Sequence, residues 1–127
     1  MASRIGDIVV DCADPARAAT FWCAALGYRE LARDDTGVAI AGHPSAPAVL
    51  LLASVDPKPV KNRVHLDICP TDRDQAAEVQ RLLALGATRV DVGQGERRWV
   101  VLADPCGNEF CVMATRVRPE PEPFDGR

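Results

Sequence analysis

Apolar residues in this chain fall in short runs bounded by Gly, Pro, Asp and Asn, and the period of each run separates strand from helix. Residues 5–12 (IGDIVVDC) are β-branched and alternate, which predicts a strand. Asp14-Pro15 follows, a carboxylate suited to cap a helix and a proline suited to its first position. Ala18, Phe21, Trp22 and Ala25 then recur at spacings of three and four, giving one apolar face. A helix over residues 15–26 is expected, with Gly27 as its stop. Three strands are predicted next, over 28–33, 38–41 and 48–55. The Asp34-Asp35-Thr36-Gly37 turn separates the first two, and the loop 42–47 (GHPSAP) precedes the third. Residues 56–62 (DPKPVKN) carry two prolines and read as a linker.

The same order then returns. Residues 63–69 (RVHLDIC) predict a strand, and Thr71 with Asp74 resembles a capping box. Ala76, Val79, Leu82 and Leu83 form the apolar face of a second helix, which Leu85-Gly86 ends as Leu26-Gly27 ended the first. Strands over 88–92, 98–103 and 109–113 follow, with turns at Gly93-Gln94-Gly95 and at 104–108 (DPCGN). Asp7 and Gly27 stand 20 positions apart, and His65 and Gly86 stand 21 apart. A repeat occurring twice, with a period near 58, is too long for a solenoid unit and fits a duplicated βαβββ module. The expected organisation is one domain over 1–115: module one at about 4–55, linker 56–62, module two at about 63–114. Residues 116–127 (RVRPEPEPFDGR) are rich in Pro and charge and are expected to be disordered or extended.

At 127 residues the chain is long enough to bury a real core. Its net charge of −3 supplies no basic footprint, which argues against nucleic acid and anionic membrane surfaces as partners. No apolar run nears the roughly 20 residues of a membrane helix, and residues 1–4 show no signal-peptide pattern, so the expected location is the cytoplasm. The cysteines are Cys12, Cys23, Cys69, Cys106 and Cys111, an odd number with no CxxC pair. A disulfide framework is not expected; small buried hydrophobes are, with Cys111 set apart for its chemistry. No GxGxxG, P-loop, nucleophile elbow or HExxH pattern is present, which weakens dinucleotide, kinase and serine-hydrolase readings.

Three stretches carry a resemblance: DCADPARAATFW (11–22) leading to Leu26-Gly27-Tyr28, KNRVHLD (61–67), and VLADPCGNEFCV (101–112). They resemble the vicinal oxygen chelate superfamily, in its glyoxalase-like (glyoxalase/bleomycin resistance/dioxygenase) branch, over roughly residues 4–114. The resemblance implies an α+β fold of two βαβββ modules, curled mixed sheets in half-barrels with the helices outside. It also implies a cavity between halves or subunits, and a homodimer. That superfamily holds metal-dependent enzymes and antibiotic-binding proteins alike, so function must be argued from the site. The superfamily's metal positions on the first strands fall on Asp7 and His65. The last-strand position of module two, usually Glu, falls on Cys111, and its first-module equivalent falls near Leu51 or Leu52.

Two readings of these residues stay open. Asp7, His65 and Cys111 can form a three-ligand site for a divalent metal (Zn, Ni, Mn or Fe), with a position left for water or substrate. Glu109 shares the face of Cys111 by strand alternation, and it or a metal-bound water moves the proton; His65 and Glu109 are the candidate catalytic residues. The protein is then a metal-dependent lyase, isomerase or dioxygenase-type enzyme on a small oxygen-rich substrate. In the other reading there is no cofactor; His65 is a pocket histidine, Cys111 a buried thiol, and the protein binds or sequesters a small molecule. A metal-free enzyme with His65 as general base is a third option. Arg63, His65 and Asp67 alternate onto one side, as a substrate-binding cluster or as an Arg63–Asp67 ion pair. Trp99 either lines the pocket or joins the core. Trp22 is expected in the core, His43 in solvent, Asp14 as a cap, and Lys61 and Asn62 as linker residues. Asp11 faces the cavity or caps, and Asp104, Pro105, Gly107 and Asn108 serve the turn.

Overall fold

The computed structural model describes residues 1–91 and 98–119. They form an α+β fold of two four-stranded mixed sheets, each with one helix, in two compact units, residues 1–56 and 57–119.

The first unit runs β1 (Asp7–Cys12), α1 (Pro15–Leu26), β2 (Arg29–Arg33), β3 (Gly37–Ala41), β4 (Ala48–Ala53). Its sheet order is β1-β4-β3-β2, with β1 parallel to β4 and the other pairs antiparallel. The parallel pair needs a crossover, and α1 begins it. Asp14 Oδ1 accepts from Arg17 N at 3.2 Å, and Pro15 takes the first helical position, as the cap chemistry predicts. At the other end Gly27 adopts φ 69°, a left-handed conformation that favours glycine. Helix α1 packs on β3 and β4. Phe21 and Trp22 meet edge-to-face with centroids 5.0 Å apart, and Val38, Ile40, Val49 and Leu51 complete the buried layer. Gly37 is required by close approach, since a Cβ there would strike the Leu51 carbonyl oxygen. In the turn, Asp34 Oδ1 accepts from the Thr36 and Gly37 backbone N–H groups. His43, expected in solvent, is half-buried; its Nδ1 accepts from Ser45 N at 3.1 Å and shapes the 42–47 loop.

The second unit repeats the plan with β5 (Asp67–Ile68), α2 (Gln75–Leu85), β6 (Thr88–Arg89), β7 (Val100–Ala103) and β8 (Glu109–Val112). Its order, β5-β8-β7-β6, is that of the first sheet, and β5 again runs parallel to the last strand. The duplication read from the sequence is therefore present in the topology itself.

Three details differ from expectation. The capping box at Thr71 is not the one used. Asp74 is itself the N-cap and accepts from Ala77 N at 2.8 Å, so the helix begins a turn later. On α2, Val79 and Leu82 are buried as expected, but Ala76 is exposed and Glu78 is buried. The Arg81 guanidinium lies 2.6 Å from the Glu78 carboxylate, which satisfies that buried charge. The strand predicted over 63–69 contracts to Asp67–Ile68, although Leu66 O still accepts from Cys111 N at 2.9 Å. In the 104–108 turn, buried Asp104 accepts from the Cys106 and Asn108 N–H groups through Oδ1. None of the five cysteines is in a disulfide. Val117 N donates to Pro70 O, tying the start of the 116–127 stretch to the unit. The Gly93-Gln94-Gly95 turn and residues 120–127 lie outside the described residues. No described helix is long and apolar enough to cross a membrane.

Candidate functional site

The parallel pairing of β5 with β8 sets Asp67 directly opposite Cys111. His65 stands two positions before Asp67, and its ring folds over the same place. His65 Nδ1 lies 3.2 Å from Asp67 Oδ1 and 3.9 Å from Cys111 Sγ. One ligand atom from each of His65, Asp67 and Cys111 lies within 4.8 Å of the others. Cys111 is buried at 4% exposure, while His65 and Asp67 are exposed, so the cluster has a closed floor and an open side.

This geometry separates two chemistries. A thiol–imidazole–carboxylate relay needs the thiol on one ring nitrogen and the carboxylate on the other. Here both approach Nδ1. Burial, with the charge of Asp67 added, pushes the Cys111 thiol up, and Lys61 only partly opposes it. A nucleophilic cysteine is tuned the other way. Three donors converging on one point is instead the arrangement of a metal site. Bonds of roughly 2.0–2.3 Å in a tetrahedron place ligand atoms roughly 3.4–3.6 Å apart. The observed 3.2 and 3.9 Å bracket that spacing. Imidazole, carboxylate and thiolate are all ligands of zinc-like ions, and three of them leave a fourth position open. The residues present thus fit a divalent ion.

The other residues singled out in the sequence fall as follows. Asp7 is in the first unit, exposed at the start of β1 and paired with Ala48; the third donor beside His65 and Cys111 is Asp67. On the sequence period, the counterpart of Cys111 in the first sheet is Leu50, next to the Leu51 and Leu52 expected. The 58-residue period maps Asp67 onto Val9, and Val9 pairs with Leu50. Leu51 is fully buried in the core. No ion pair joins Arg63 to Asp67; Asp67 pairs with His65. Trp99 is 36% exposed just before β7, and Trp22 is core.

Glu109 does share the strand of Cys111, but both its oxygens are engaged. Lys58 Nζ donates to Oε2 at 2.5 Å and Asn62 N donates to Oε1 at 2.7 Å. Burial pushes this carboxyl up, yet the bonds from Asn62 and Lys58 outweigh it and hold the group below the usual range. Sequence reading missed Lys58 and Asn62 as structural partners. Their carboxylate lies 51 and 47 positions away, and no local pattern announces so distant a contact.

Comparison with known proteins gives the following. A comparison with curated proteins finds no match. Among solved structures, the fosfomycin resistance protein FosX from Mesorhizobium loti superposes with a TM-score of 0.67 at 14% identity, covering 92% of this chain and 95% of that one. A glyoxalase/bleomycin resistance protein/dioxygenase family enzyme from Burkholderia phytofirmans gives 0.65 at 16%, covering 84% and 94%. A FosX variant from Listeria monocytogenes, complexed with Mn(II) and 1S,2S-dihydroxypropylphosphonic acid, gives 0.67 at 16%, covering 92% and 94%. At these identities the likeness shows the fold. The sequence itself matches the profile of the glyoxalase-like domain over residues 7–113, and the chain belongs to that family.

Proposed function

We propose that this chain is a small-molecule-binding, glyoxalase-like enzyme that holds one divalent metal through His65 Nδ1, the Asp67 carboxylate and the Cys111 sulfur. The observation that carries the reading is the convergence of three different donor atoms on one point in the second unit. A metal bound there supplies Lewis acidity toward a substrate oxygen. The chain's own residues supply the rest. Cys111 would offer its sulfur as a thiolate, His65 its Nδ1 and Asp67 a carboxylate oxygen. Mixed sulfur and imidazole donors favour zinc among the zinc, nickel, manganese and iron ions considered. The Listeria FosX variant, with its manganese and oxygen-rich ligand, is a precedent for such a pairing on this fold.

A metal-free binding or sequestering protein is the second reading, favoured by one observation. Asp67 lies 3.2 Å from His65 Nδ1, and that nitrogen lies 3.9 Å from the Cys111 sulfur, so the cluster has partners without an ion. Elemental analysis after zinc loading and desalting separates the two. About one zinc per chain, lost in His65→Ala, supports the enzyme. Zinc-free protein that is nonetheless heat-stabilised by small oxygen-rich ligands supports the binder. A second copy of the chain is the expected protein partner, since the first sheet ends on β1 and β2, each with one unpaired edge within its unit. Light scattering at twice the chain mass checks it.

A further inference from the structure

The two modules part company at His65. In the first sheet the β1–β4 ladder runs from Asp7–Ala48 through Val9–Leu50 to Cys12–Ala53. In the second, Asp67–Cys111 takes the place of Val9–Leu50, so two positions further back stand His65 and Glu109. Unlike Asp7 and Ala48, these two lie outside the register: β5 is Asp67–Ile68, and just before it Leu66 O accepts from Cys111 N at 2.9 Å. Upstream the chain bends at Arg63 and Val64, and Val64 is 84% exposed, so its side chain gives the bend no packing anchor. A side chain holds the far end of the bend. Glu109, two positions before Cys111 on β8, accepts from Asn62 N with Oε1 at 2.7 Å and from Lys58 Nζ with Oε2. The Glu109 side chain is only 10% exposed, and a carboxylate this buried is costly unless its partners stay fixed. Asn62 Nδ2 adds a bond to Asn108 Oδ1 at 3.1 Å. His65 therefore sits in the short span 63–65, between a side-chain tie at Asn62 and a backbone tie at Leu66. Both ties run to the strand that carries Cys111.

We infer that Glu109 is a positioning residue for His65: by bridging Asn62 to β8 it sets the distance of the imidazole from the Cys111 sulfur, 3.9 Å from Nδ1. The ladder stops short of His65, which lets the ring fold over Asp67, and the Glu109 side chain replaces the strand pairing that is given up there. The inference rests on the proposed reading of His65, Asp67 and Cys111 as the ligand site, and it does not require a metal to be bound. It gives Glu109 a role through His65 rather than through proton transfer. The bond to Asn62 carries that role, and the bond to Lys58 is secondary to it.

The test is an NMR comparison of the full chain and its variants after treatment with a chelator, read as the nuclear Overhauser contact between the His65 ring protons and the Cys111 β protons. Wild type is expected to show the contact. Glu109→Ala is expected to lose it, while the Cys111 amide, bonded to Leu66 O, stays protected from exchange. Glu109→Gln is expected to keep it, because the amide oxygen still accepts from Asn62 N, and so is Lys58→Met. A merely structural role would lower the urea midpoint without this selective loss. On zinc loading, Glu109→Ala is expected to bind about tenfold more weakly or worse, since binding must then order at least one residue of the bend. Should Glu109→Ala fail to fold, Asn62→Pro, which lacks the donated N–H, tests the same tie from the other side. An unchanged contact in Glu109→Ala, no contact in wild type, or a loss in Glu109→Gln equal to that in Glu109→Ala would overturn the inference. Zinc uptake by the wild type reports on the metal reading separately: a contact that depends on Glu109 in a chain that takes up no zinc upholds the positioning role while the metal reading fails.

Discussion

The two modules share element order, sheet order and helix caps, yet they differ at three matched positions. Where the second places His65, Asp67 and Cys111, the first places Asp7, Val9 and Leu50. In both, the middle and last of these face each other across a parallel strand pair. In one the pair is polar and joined by a histidine; in the other it is apolar, with Val9 52% exposed. The same scaffold therefore supports a donor cluster in one copy and an apolar wall in the other. Caps and core set the module, while the exposed face of two strands sets the chemistry, and the two vary independently.

That independence can be broken from either side. The largest effect is expected from Leu51→Ala, which opens a cavity in the first core and should cost about 2–5 kcal/mol by urea unfolding, with zinc binding unchanged. Loss of zinc in that variant would show that the modules are not separable. Next comes Asp104→Ala, which leaves the Cys106 and Asn108 N–H groups of a buried turn without their acceptor, at about 1–3 kcal/mol. Asp34→Ala, in the β2–β3 turn of the first module, removes an acceptor that sits in solvent and should unfold at a denaturant concentration closer to wild type. Asp14→Ala and Asp74→Ala remove equivalent caps and should each cost about 1 kcal/mol. A marked inequality between them would mean the two helices are not held alike.

The smallest effect concerns acid. Hydrogen bonding to Arg73, offset in part by burial, draws the Asp72 carboxyl down to about 2. A carboxyl lowered in the folded state stabilises at pH above its unfolded value near 4, and that contribution fades as pH falls towards about 2. The pair is exposed and screened, so the change is small. Asp72→Asn should flatten the slope of stability over that pH window and leave neutral stability nearly unchanged; an unaltered slope would count against the assignment.

Much of the scaffold was legible because its signals are local. Asp14-Pro15, Gly27 and Leu85-Gly86 each carry their meaning within a few residues, and the repeat made each half a check on the other. At Thr71 local reading failed, because two acceptors three residues apart both suit a cap and only packing chooses between them. Buried Glu78 was hidden for a related reason: Arg81 on the next turn satisfies it, which a hydrophobic pattern cannot register. Within the cluster, His65 and Cys111 stood out by residue type, and Asp67 by its alternation with His65. Its place as their third partner depends on the β5–β8 register, set across 44 positions of sequence. The Glu109 latch was least legible of all, since alternation gave its strand and face but not its partners in a proline-rich linker.

The central claim is that the second module, through Asp67 rather than Asp7, holds the ligand set. Cobalt(II) titration of the full chain, read by absorption, tests it most directly. One equivalent should bring up a thiolate-to-cobalt charge-transfer band with tetrahedral d–d bands, abolished in Cys111→Ser, strongly weakened in Asp67→Asn and preserved in Asp7→Asn. A chain that shows no such band, or one whose band survives Asp67→Asn and disappears in Asp7→Asn, would contradict it.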